Sequence, residues 1–161
     1  MLTRMELHPD LEPLAFLLGT WQGHGEGHYP TIPSFAYVEE ITFGHVGKPF
    51  FSYVQKTRHA TTDLALHAES GYFRPTGSGS LEFVVAQPSG IVEMHIGTLR
   101  GTRIELESSA VLTTPSAKSV TQVQRLIEVT GTTLVYELAM AAVGQPLQNH
   151  LRASLERAPL V

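Results

Sequence analysis

The sequence predicts an all-β protein: a closed antiparallel up-and-down β-barrel of about ten strands, with a short helical turn at the N-terminus. Three observations support this fold. Runs rich in Val, Ile, Phe, Tyr and Thr follow one another along the chain, and Gly- or Pro-containing turn signals separate them. Long helical periodicity is absent, which excludes a parallel α/β fold. Closure is favoured because a barrel leaves no strand edge unpaired.

The elements follow in order from the N-terminus. A helical turn is predicted between Leu7 and Leu18, and Gly19 ends it, as glycine commonly does after a helix. The first strand runs from Gly19 to Tyr29. Nine further runs share β-branched and aromatic enrichment: Phe35–Phe43, Phe50–Arg58, Leu64–Arg74, Leu81–Ala86, Val92–Leu99, Arg103–Leu112, Val120–Val129, Leu134–Val143 and Leu147–Arg157. A barrel of ten strands is wider than one whose interior side chains fill, so the fold predicts an internal cavity.

The first strand carries the most informative pattern. Every second residue from Gly19 to Gly27 is Gly or Trp. Alternate residues of a strand share a face, so one face consists of Gly19, Trp21, Gly23, Gly25, Gly27 and Tyr29, and the other is wholly polar. Glycine in a strand marks a bend or a close approach. We predict that these glycines relieve the coiling that barrel closure requires, and that Trp21 packs inward.

Composition limits the function. The length of 161 residues predicts a single domain spanning residues 1–161. The net charge is −4 and the 11 basic residues are scattered, so we expect no nucleic-acid binding. No apolar run approaches the roughly 20 residues of a membrane helix and the N-terminus lacks a signal-peptide pattern, which predicts no membrane association and a cytoplasmic location. Cysteine is absent, so a bound metal would need His, carboxylate, Met or Tyr ligands.

Several blocks, in the same order, resemble the nitrobindin family of small β-barrels that bind haem b. They are Gly19-x-Trp21-x-Gly23-x-Gly25-x-Gly27-x-Tyr29-Pro30-Thr31, Tyr37-Val38-Glu39-Glu40, Phe43 to Pro49, Leu66 to Arg74, Pro88-Ser89-Gly90, and Met140 to Leu151. The blocks cover nearly the whole chain. Gly-x-Trp alone would be weak evidence because lipocalins share it, but the full set is specific.

The resemblance implies one haem b per chain at the open end of the barrel, with the iron held by the histidine that follows Gly-Gln-Pro-Leu. That residue is His150 here. It also implies a ferric protein that binds nitric oxide reversibly, isomerises peroxynitrite to nitrate and forms a homodimer. Imidazole is a suitable axial ligand, and a vacant sixth position is where such molecules would bind. Ferric iron would act as a Lewis acid, which makes His150 both metal ligand and catalytic residue.

Four more residues match family positions near the haem. The resemblance places Leu66 and His67 on the distal side, Thr31 at the haem edge and Lys118 near a propionate. Some family members have Met where this chain has Leu66, so the distal wall is expected to be more apolar. The alternatives are a buried structural role for His67, a hydrogen bond within its own turn for Thr31, and a solvated loop position for Lys118.

The sequence does not decide on which face of its element His150 lies. Taken alone, a histidine in such a segment is more often a surface or capping residue. If residues 147–157 form a strand, His150 shares a face with Gln148 and Arg152; if they form a helix, it shares one with Leu147 and Leu151.

The other titratable residues are not predicted to form a functional site. His24, Glu26 and His28 lie on the polar face of the first strand, where solvent exposure is expected. His95, like His45 and His59, shows no partner pattern. Glu39 and Glu40 are adjacent, so in a strand they point to opposite faces and cannot act as an acid–base pair.

Two other functions fit the same fold. One is a non-catalytic carrier of an apolar ligand, like a fatty-acid-binding protein or a lipocalin, which has no use for His150. The other is a haem-based nitric oxide sensor. The sequence separates a sensor from an enzyme poorly, because both need an open haem site.

Overall fold

The structure, a computed structural model, describes residues 5–159 as a closed barrel. Among these residues a 3-10 helix, Pro9–Leu17, precedes ten strands: β1 Gly19–Tyr29, β2 Ile32–Gly44, β3 Phe51–His59, β4 Ala65–Gly77, β5 Ser80–Gln87, β6 Ile91–Arg100, β7 Arg103–Thr113, β8 Val120–Thr130, β9 Thr133–Ala142 and β10 Gln148–Arg157. Each strand pairs antiparallel with its neighbours in sequence, and β1 pairs with β10. The predicted fold class is confirmed.

The single-domain assignment stays a prediction. The ends of the predicted domain, residues 1–4 and 160–161, lie outside the described residues, and so does the start of the segment that was read as lacking a signal peptide. Within residues 5–159 the structure contains no helix long and apolar enough to span a bilayer.

The two-faced pattern predicted for β1 is present. Trp21, Gly25, Gly27 and Tyr29 are buried, Gly23 is intermediate, and the alternate residues Gln22, His24, Glu26 and His28 are exposed. Trp21 is completely shielded from solvent, as expected of a core residue.

The glycines of β1 allow neighbouring strands to approach closely. A Cβ on Gly23 would overlap backbone atoms of β10, including the Ser154 carbonyl oxygen. A Cβ on Gly25 would overlap the Tyr37 ring of β2. The absence of side chains on β1 therefore makes room for strand closure on one side and for aromatic rings of β2 on the other.

The 3-10 helix closes one end of the barrel. Its Leu11, Leu14 and Leu17 are buried in the hydrophobic core. The indole N–H of Trp21 donates to the Leu17 carbonyl oxygen at 2.8 Å. The carbonyls at the end of a helix lack partners within the helix. In this barrel a side chain from the last strand supplies donors to them.

That side chain belongs to Arg157, at the end of β10. Its guanidinium donates to the carbonyl oxygens of Phe16, at 2.6 Å, and of Leu18. The same group lies 4.1 Å from the centroid of the Trp21 ring, which is a cation–π contact. The N-terminal helix, the first strand and the last strand are therefore fastened together at the closed end.

The glycine contacts predict a ranking of substitutions. Gly23→Ala should lower the free energy of unfolding by at least about 2 kcal/mol, because the added methyl group meets backbone that cannot move without opening the β1–β10 pairing. Gly25→Ala should cost less, because the added methyl group meets a side chain, the Tyr37 ring, rather than backbone. His24→Ala, on the exposed face of the same strand, should change stability by less than about 0.5 kcal/mol. Urea denaturation measures all three, and equal costs for the two glycine variants would contradict the backbone argument.

Candidate functional site

The open end of the barrel leads into a cavity of about 860 Å³. This volume lies within the range of roughly 300–1,000 Å³ that is usual for ligand and cofactor sites. Apolar and aromatic side chains form much of its wall: Phe35, Phe43, Phe73, Phe83, Ile127, Leu138, Met140 and Leu151. The cavity predicted from the strand number is present.

All five residues that the family resemblance singled out line this cavity: Thr31, Leu66, His67, Lys118 and His150. They come from separate segments. Thr31 lies in the turn between β1 and β2, Lys118 in the loop between β7 and β8, and both are exposed at the mouth. Leu66 and His67 lie near the start of β4. The fold thus brings the predicted residues to one opening, and their roles toward a ligand remain predictions.

A β-bulge sets the direction of His150. Asn149 pairs with Ala139 of β9, but Leu151 pairs with Leu138, so His150 is an extra residue without a register partner. Such a residue is turned away from the regular alternation. His150 and Leu151 both line the cavity, while Arg152 is exposed. Neither of the two alternatives for its face is correct, because each assumed a regular element.

Three groups hold the His150 ring. Its Nδ1 lies 3.1 Å from the carbonyl oxygen of His28 in β1. A carbonyl oxygen only accepts, so Nδ1 carries the proton and donates it. Nε2 therefore keeps a free lone pair. The Tyr29 ring packs edge-on at 5.2 Å between centroids, and the Phe35 ring lies at 6.4 Å.

The imidazole of His150 is held in its neutral form. Burial lowers the pKa of His150 below its ordinary value, although the hydrogen bond to the His28 carbonyl opposes the shift. A neutral imidazole with a bonded Nδ1–H and a free Nε2 is the usual state of a metal-binding histidine.

The Tyr29 hydroxyl explains how the bulge is accommodated. It accepts from the backbone N–H of Ala142 at 2.9 Å and lies within hydrogen-bond distance of the carbonyl oxygens of Met140 and Ala142. Tyr29 thus ties β1 directly to the end of β9, past the irregular start of β10.

His67 is held by a hydrogen bond to a buried carboxylate of its own strand. Its Nε2 lies 3.2 Å from Oε2 of Glu69, two residues further along β4. Burial favours the neutral form of the Glu69 carboxyl, but the Arg125 charge and the hydrogen bond from His67 hold its pKa well below the ordinary value. An ionised carboxylate only accepts, so the proton on His67 is at Nε2. The imidazole lies at the cavity wall, half-buried.

Arg125 of β8 organises the middle of the barrel. Its Nη1 donates to Glu69 at 2.6 Å, and its Nη2 donates to Glu93 at 2.8 Å. Burial would raise the pKa of Glu93, but the Arg125 charge outweighs it, so this pKa is also lowered. Since two carboxylates already occupy both ends of the guanidinium, Arg125 is not free to bind the carboxylate of a fatty acid.

A second polar group surrounds Glu39. Gln55 Nε2 donates to one carboxylate oxygen at 2.8 Å, and the Tyr136 hydroxyl donates to the other at 2.8 Å. The Tyr37 hydroxyl lies 2.6 Å from that of Tyr136. Burial raises the pKa of Glu39 to about 7, against the effect of these hydrogen bonds. Glu40 points outward and accepts from Gln22, as the strand alternation predicted.

This buried polar layer was missed by the sequence reasoning. The alternation Glu39-x-Ile41-x-Phe43 indicates that Glu39 faces the core, and Glu69-x-Gly71-x-Phe73 indicates the same for Glu69. The interpretation of His95 as a residue without a partner is wrong. Its Nε2 lies 2.7 Å from Glu93, and its side chain is fully buried. The period-2 spacing Glu93-x-His95 was the available signal.

Within the described part of the chain, no cluster of three or more His, Asp or Glu side chains has the arrangement of a metal site. Each of the two described histidines on the cavity wall has one ring nitrogen without a hydrogen bond to the described residues: Nε2 of His150, whose Nδ1 is the bonded one, and Nδ1 of His67, whose Nε2 is bonded to Glu69.

Comparison with known proteins gives a consistent result. The family described as "THAP4-like, heme-binding beta-barrel domain" matches residues 10–157. Peroxynitrite isomerase 1 of Mycolicibacterium paratuberculosis is 53% identical over 156 residues, covering 94% of this chain and 97% of the relative. Peroxynitrite isomerase 2 of Mycobacterium marinum is 50% identical with the same coverage. The crystal structure of Rv2717c from M. tuberculosis superposes with a TM-score of 0.90 at 47% identity, covering 96% of this chain and 100% of that one.

The raised pKa of Glu39 predicts a specific pH dependence of stability. The group's pKa is near 4.5 when unfolded and about 7 when folded, so the folded protein holds the extra proton between these values. The stability that this proton contributes is complete below pH 4.5 and is lost as the pH rises through 7. Glu39→Gln, which stays neutral, should therefore gain roughly 2–3 kcal/mol relative to the unmodified protein between pH 5 and pH 8.

The matched control is Glu40→Gln, at the exposed neighbouring residue. Its free energy of unfolding should change with pH in the same way as that of the unmodified protein over this range. Urea denaturation at a series of pH values gives the comparison. If the curve for Glu39→Gln is also parallel, Glu39 is ionised throughout and the predicted shift is wrong.

Proposed function

The chain belongs to the family of THAP4-like, haem-binding β-barrel domains, and on this premise we propose a function for its cavity. It binds one haem b per chain through Nε2 of His150 and isomerises peroxynitrite to nitrate at ferric iron. Nitric oxide binds reversibly at the same open position of the iron.

The observation that carries this proposal is the state of His150. The bulge in β10 turns the side chain into the cavity, the His28 carbonyl holds the proton on Nδ1, and burial keeps the ring neutral. Those are the requirements of an axial ligand. A carrier of apolar molecules has no need for any of the three.

The remaining wall residues fit a haem. The apolar and aromatic lining suits a porphyrin ring, and the exposed ammonium of Lys118 at the mouth suits a propionate. Thr31, which lines the cavity in the β1–β2 turn, would contact the edge of the ring. Among the described residues the cavity wall has two imidazoles: His150, whose unbonded Nε2 we assign to the iron, and His67, whose Nε2 is bonded to Glu69.

Each residue has a part in the proposed mechanism. Bound ferric haem would supply a Lewis-acidic iron with a vacant position, which polarises the peroxy bond of peroxynitrite. His150 would hold and orient the group through Nε2. Leu66 keeps water away with an apolar surface. His67 presents its imidazole to the cavity while its Nε2 proton remains bound to Glu69.

The relatives support this choice of reaction over the alternatives. Two proteins about half identical to this chain over nearly its full length are named peroxynitrite isomerases. The carrier function is disfavoured by Arg125, whose guanidinium is occupied by Glu69 and Glu93.

We also propose a cytoplasmic homodimer. An apolar row crosses the outside of the barrel where Tyr72, Val84 and Met94 lie side by side on β4, β5 and β6. Ile96 on β6 is 62% exposed, which is unusual for such a side chain and extends the row. Light scattering on the haem-loaded protein measures the mass, and a mass of one chain would contradict the dimer.

The first experiment is an absorption titration of the purified protein with ferric haem. We expect a Soret band that saturates at one haem per chain. His150→Ala should shift or abolish this band, because it removes the axial nitrogen, and affinity should fall at least tenfold. His24→Ala, a histidine on the outer face, should behave like the unmodified protein. Saturation without any effect of His150→Ala would mean that another residue holds the iron.

The second experiment follows peroxynitrite decay by stopped flow and quantifies nitrate. The ferric protein should accelerate decay and raise the yield of nitrate, and His150→Ala should lose most of the acceleration. Decay no faster than in buffer, with haem bound through His150, would exclude the isomerase and leave a nitric oxide sensor or store.

A further inference from the structure

The imidazole of His67 has one nitrogen that the fold uses and one that it does not. Nε2 lies 3.2 Å from Oε2 of Glu69, whereas Nδ1 has no hydrogen-bond partner among the described residues. The buried side-chain atoms without partners in the described part of the chain are Gln55 Oε1, His95 Nδ1 and Arg125 Nε. Nδ1 of His67 is not one of them, so it is accessible to small molecules.

The accessible side of His67 faces the cavity. Along β4 the side chains of Glu69 and Phe73 are buried, while Ser70 and Tyr72 between them are exposed on the other face. His67 lies two residues before Glu69 and therefore belongs to the inward-facing set. It lines the cavity, and its side chain is 37% exposed. A molecule that enters through the mouth can therefore reach Nδ1.

His67 and His150 lie on different sides of this cavity. His67 is on β4 and His150 is on β10, and four strand-to-strand steps separate these strands in one direction around the closed sheet and six in the other. Burial is the main cause that lowers the pKa of His150, and the charge of His67 contributes in the same direction. The two imidazoles thus interact across the mouth, because such effects require charges that are near one another. A group held by Nε2 of His150 would have His67 on the facing wall.

The proton on the His67 ring is fixed by the layer beneath it. Burial alone would raise the pKa of Glu69, but the charge of Arg125, which donates to it at 2.6 Å, and the bond from His67 hold this pKa well below its ordinary value. An ionised carboxylate only accepts, so Nε2 of His67 carries the proton and Nδ1 has a lone pair. Nδ1 of the neutral ring can therefore accept a proton but has none to donate.

The same layer stabilises a second proton on His67. Arg125 binds two carboxylates, Glu69 and Glu93, and its single charge compensates one of them. A carboxylate bonded to an imidazole orients the ring and stabilises its cationic form, as in catalytic triads. His95 is bonded to Glu93 in a similar way, but its side chain is fully shielded. A proton that comes from the cavity is therefore taken by His67.

We propose that His67 is the general base of this site: its Nδ1 removes the proton of an acidic peroxide, peroxynitrous acid in the proposed reaction, which then binds as its anion. This inference rests on the proposed function, because it needs a haem held by His150. The O–H bond breaks, its electron pair stays on the peroxy oxygen, and the proton bonds to Nδ1. After nitrate has left, the proton passes from Nδ1 to solvent. Peroxynitrous acid is thus converted into nitrate and one proton, and no electron is exchanged with the protein.

Cyanide and azide separate the removal of a proton from access to the iron. At neutral pH cyanide is present almost entirely as hydrogen cyanide, which loses its proton when it binds ferric haem, whereas azide is already ionised. Stopped-flow absorption of the ferric, haem-loaded protein measures both association rates. His67→Phe keeps a ring of similar size and removes both nitrogens. It should slow cyanide association about 100-fold and leave azide association unchanged.

Two further variants complete the comparison. His24→Phe, on the exposed outer face of β1, is the matched control and should leave both rates unchanged. Glu69→Gln retains the imidazole and removes the negative charge behind it, so it should slow cyanide association about tenfold without slowing azide association. If Glu69→Gln does not fold, His67→Phe still decides the question, because its position at the mouth is only half-buried.

A second measurement needs no haem. Nitrogen-15 NMR of the haem-free protein distinguishes the two ring nitrogens of each histidine by their chemical shifts. The neutral His67 ring should have its proton on Nε2 and none on Nδ1.

Three results would overturn the proposal and leave the proposed function intact, provided that ferric haem is bound through His150. The first is cyanide association that is as fast in His67→Phe as in the unmodified protein, which would show that no base is needed at this position. The second is equal slowing of cyanide and azide, which would indicate a change in access alone. The third is a neutral His67 ring with its proton on Nδ1. Failure to bind ferric haem would instead contradict the proposed function, and this inference with it.

Discussion

The pairing of β1 with β10 is the constraint on which the rest of the structure depends. At the closed end Arg157 of β10 binds the end of the 3-10 helix and the Trp21 ring. In the middle, the absence of a side chain on Gly23 lets the two backbones meet. At the mouth, the His28 carbonyl of β1 receives the Nδ1 proton of His150. The strand pairing that closes the barrel therefore also fixes the proton on Nδ1 of His150, the candidate iron ligand.

The interior is divided by chemistry as well as by shape. The closed end is apolar, the middle contains Arg125 with its carboxylates, and the mouth presents His150 and His67. Buried ion clusters are weak contributors to net stability, because desolvation consumes most of the Coulomb energy. A barrel could fill this layer with apolar side chains at little cost. The retention of charge in a cavity wall is therefore better explained by ligand binding than by folding.

The fold was predictable because its signals are local. Alternation along β1, strand composition and turn residues are all properties of short segments, and they gave the correct architecture. The direction of His150 was not predictable, because the bulge is a property of the register between β10 and β9. The alternation identified Glu39 and Glu69 as inward-facing in principle, but the partner of Glu69 is Arg125, 56 residues further along the chain. Pairings between distant strands do not appear in the spacing of residues within one strand.

Glu69 connects the mouth of the cavity to its floor. One of its oxygens accepts from His67 Nε2 at the mouth, and both oxygens accept from Arg125 in the layer below. The orientation of the His67 ring is therefore fixed by the same carboxylate that positions the guanidinium. In this barrel His67 at the mouth and the deeper polar layer of Glu69, Arg125 and Glu93 form one continuous hydrogen-bonded system.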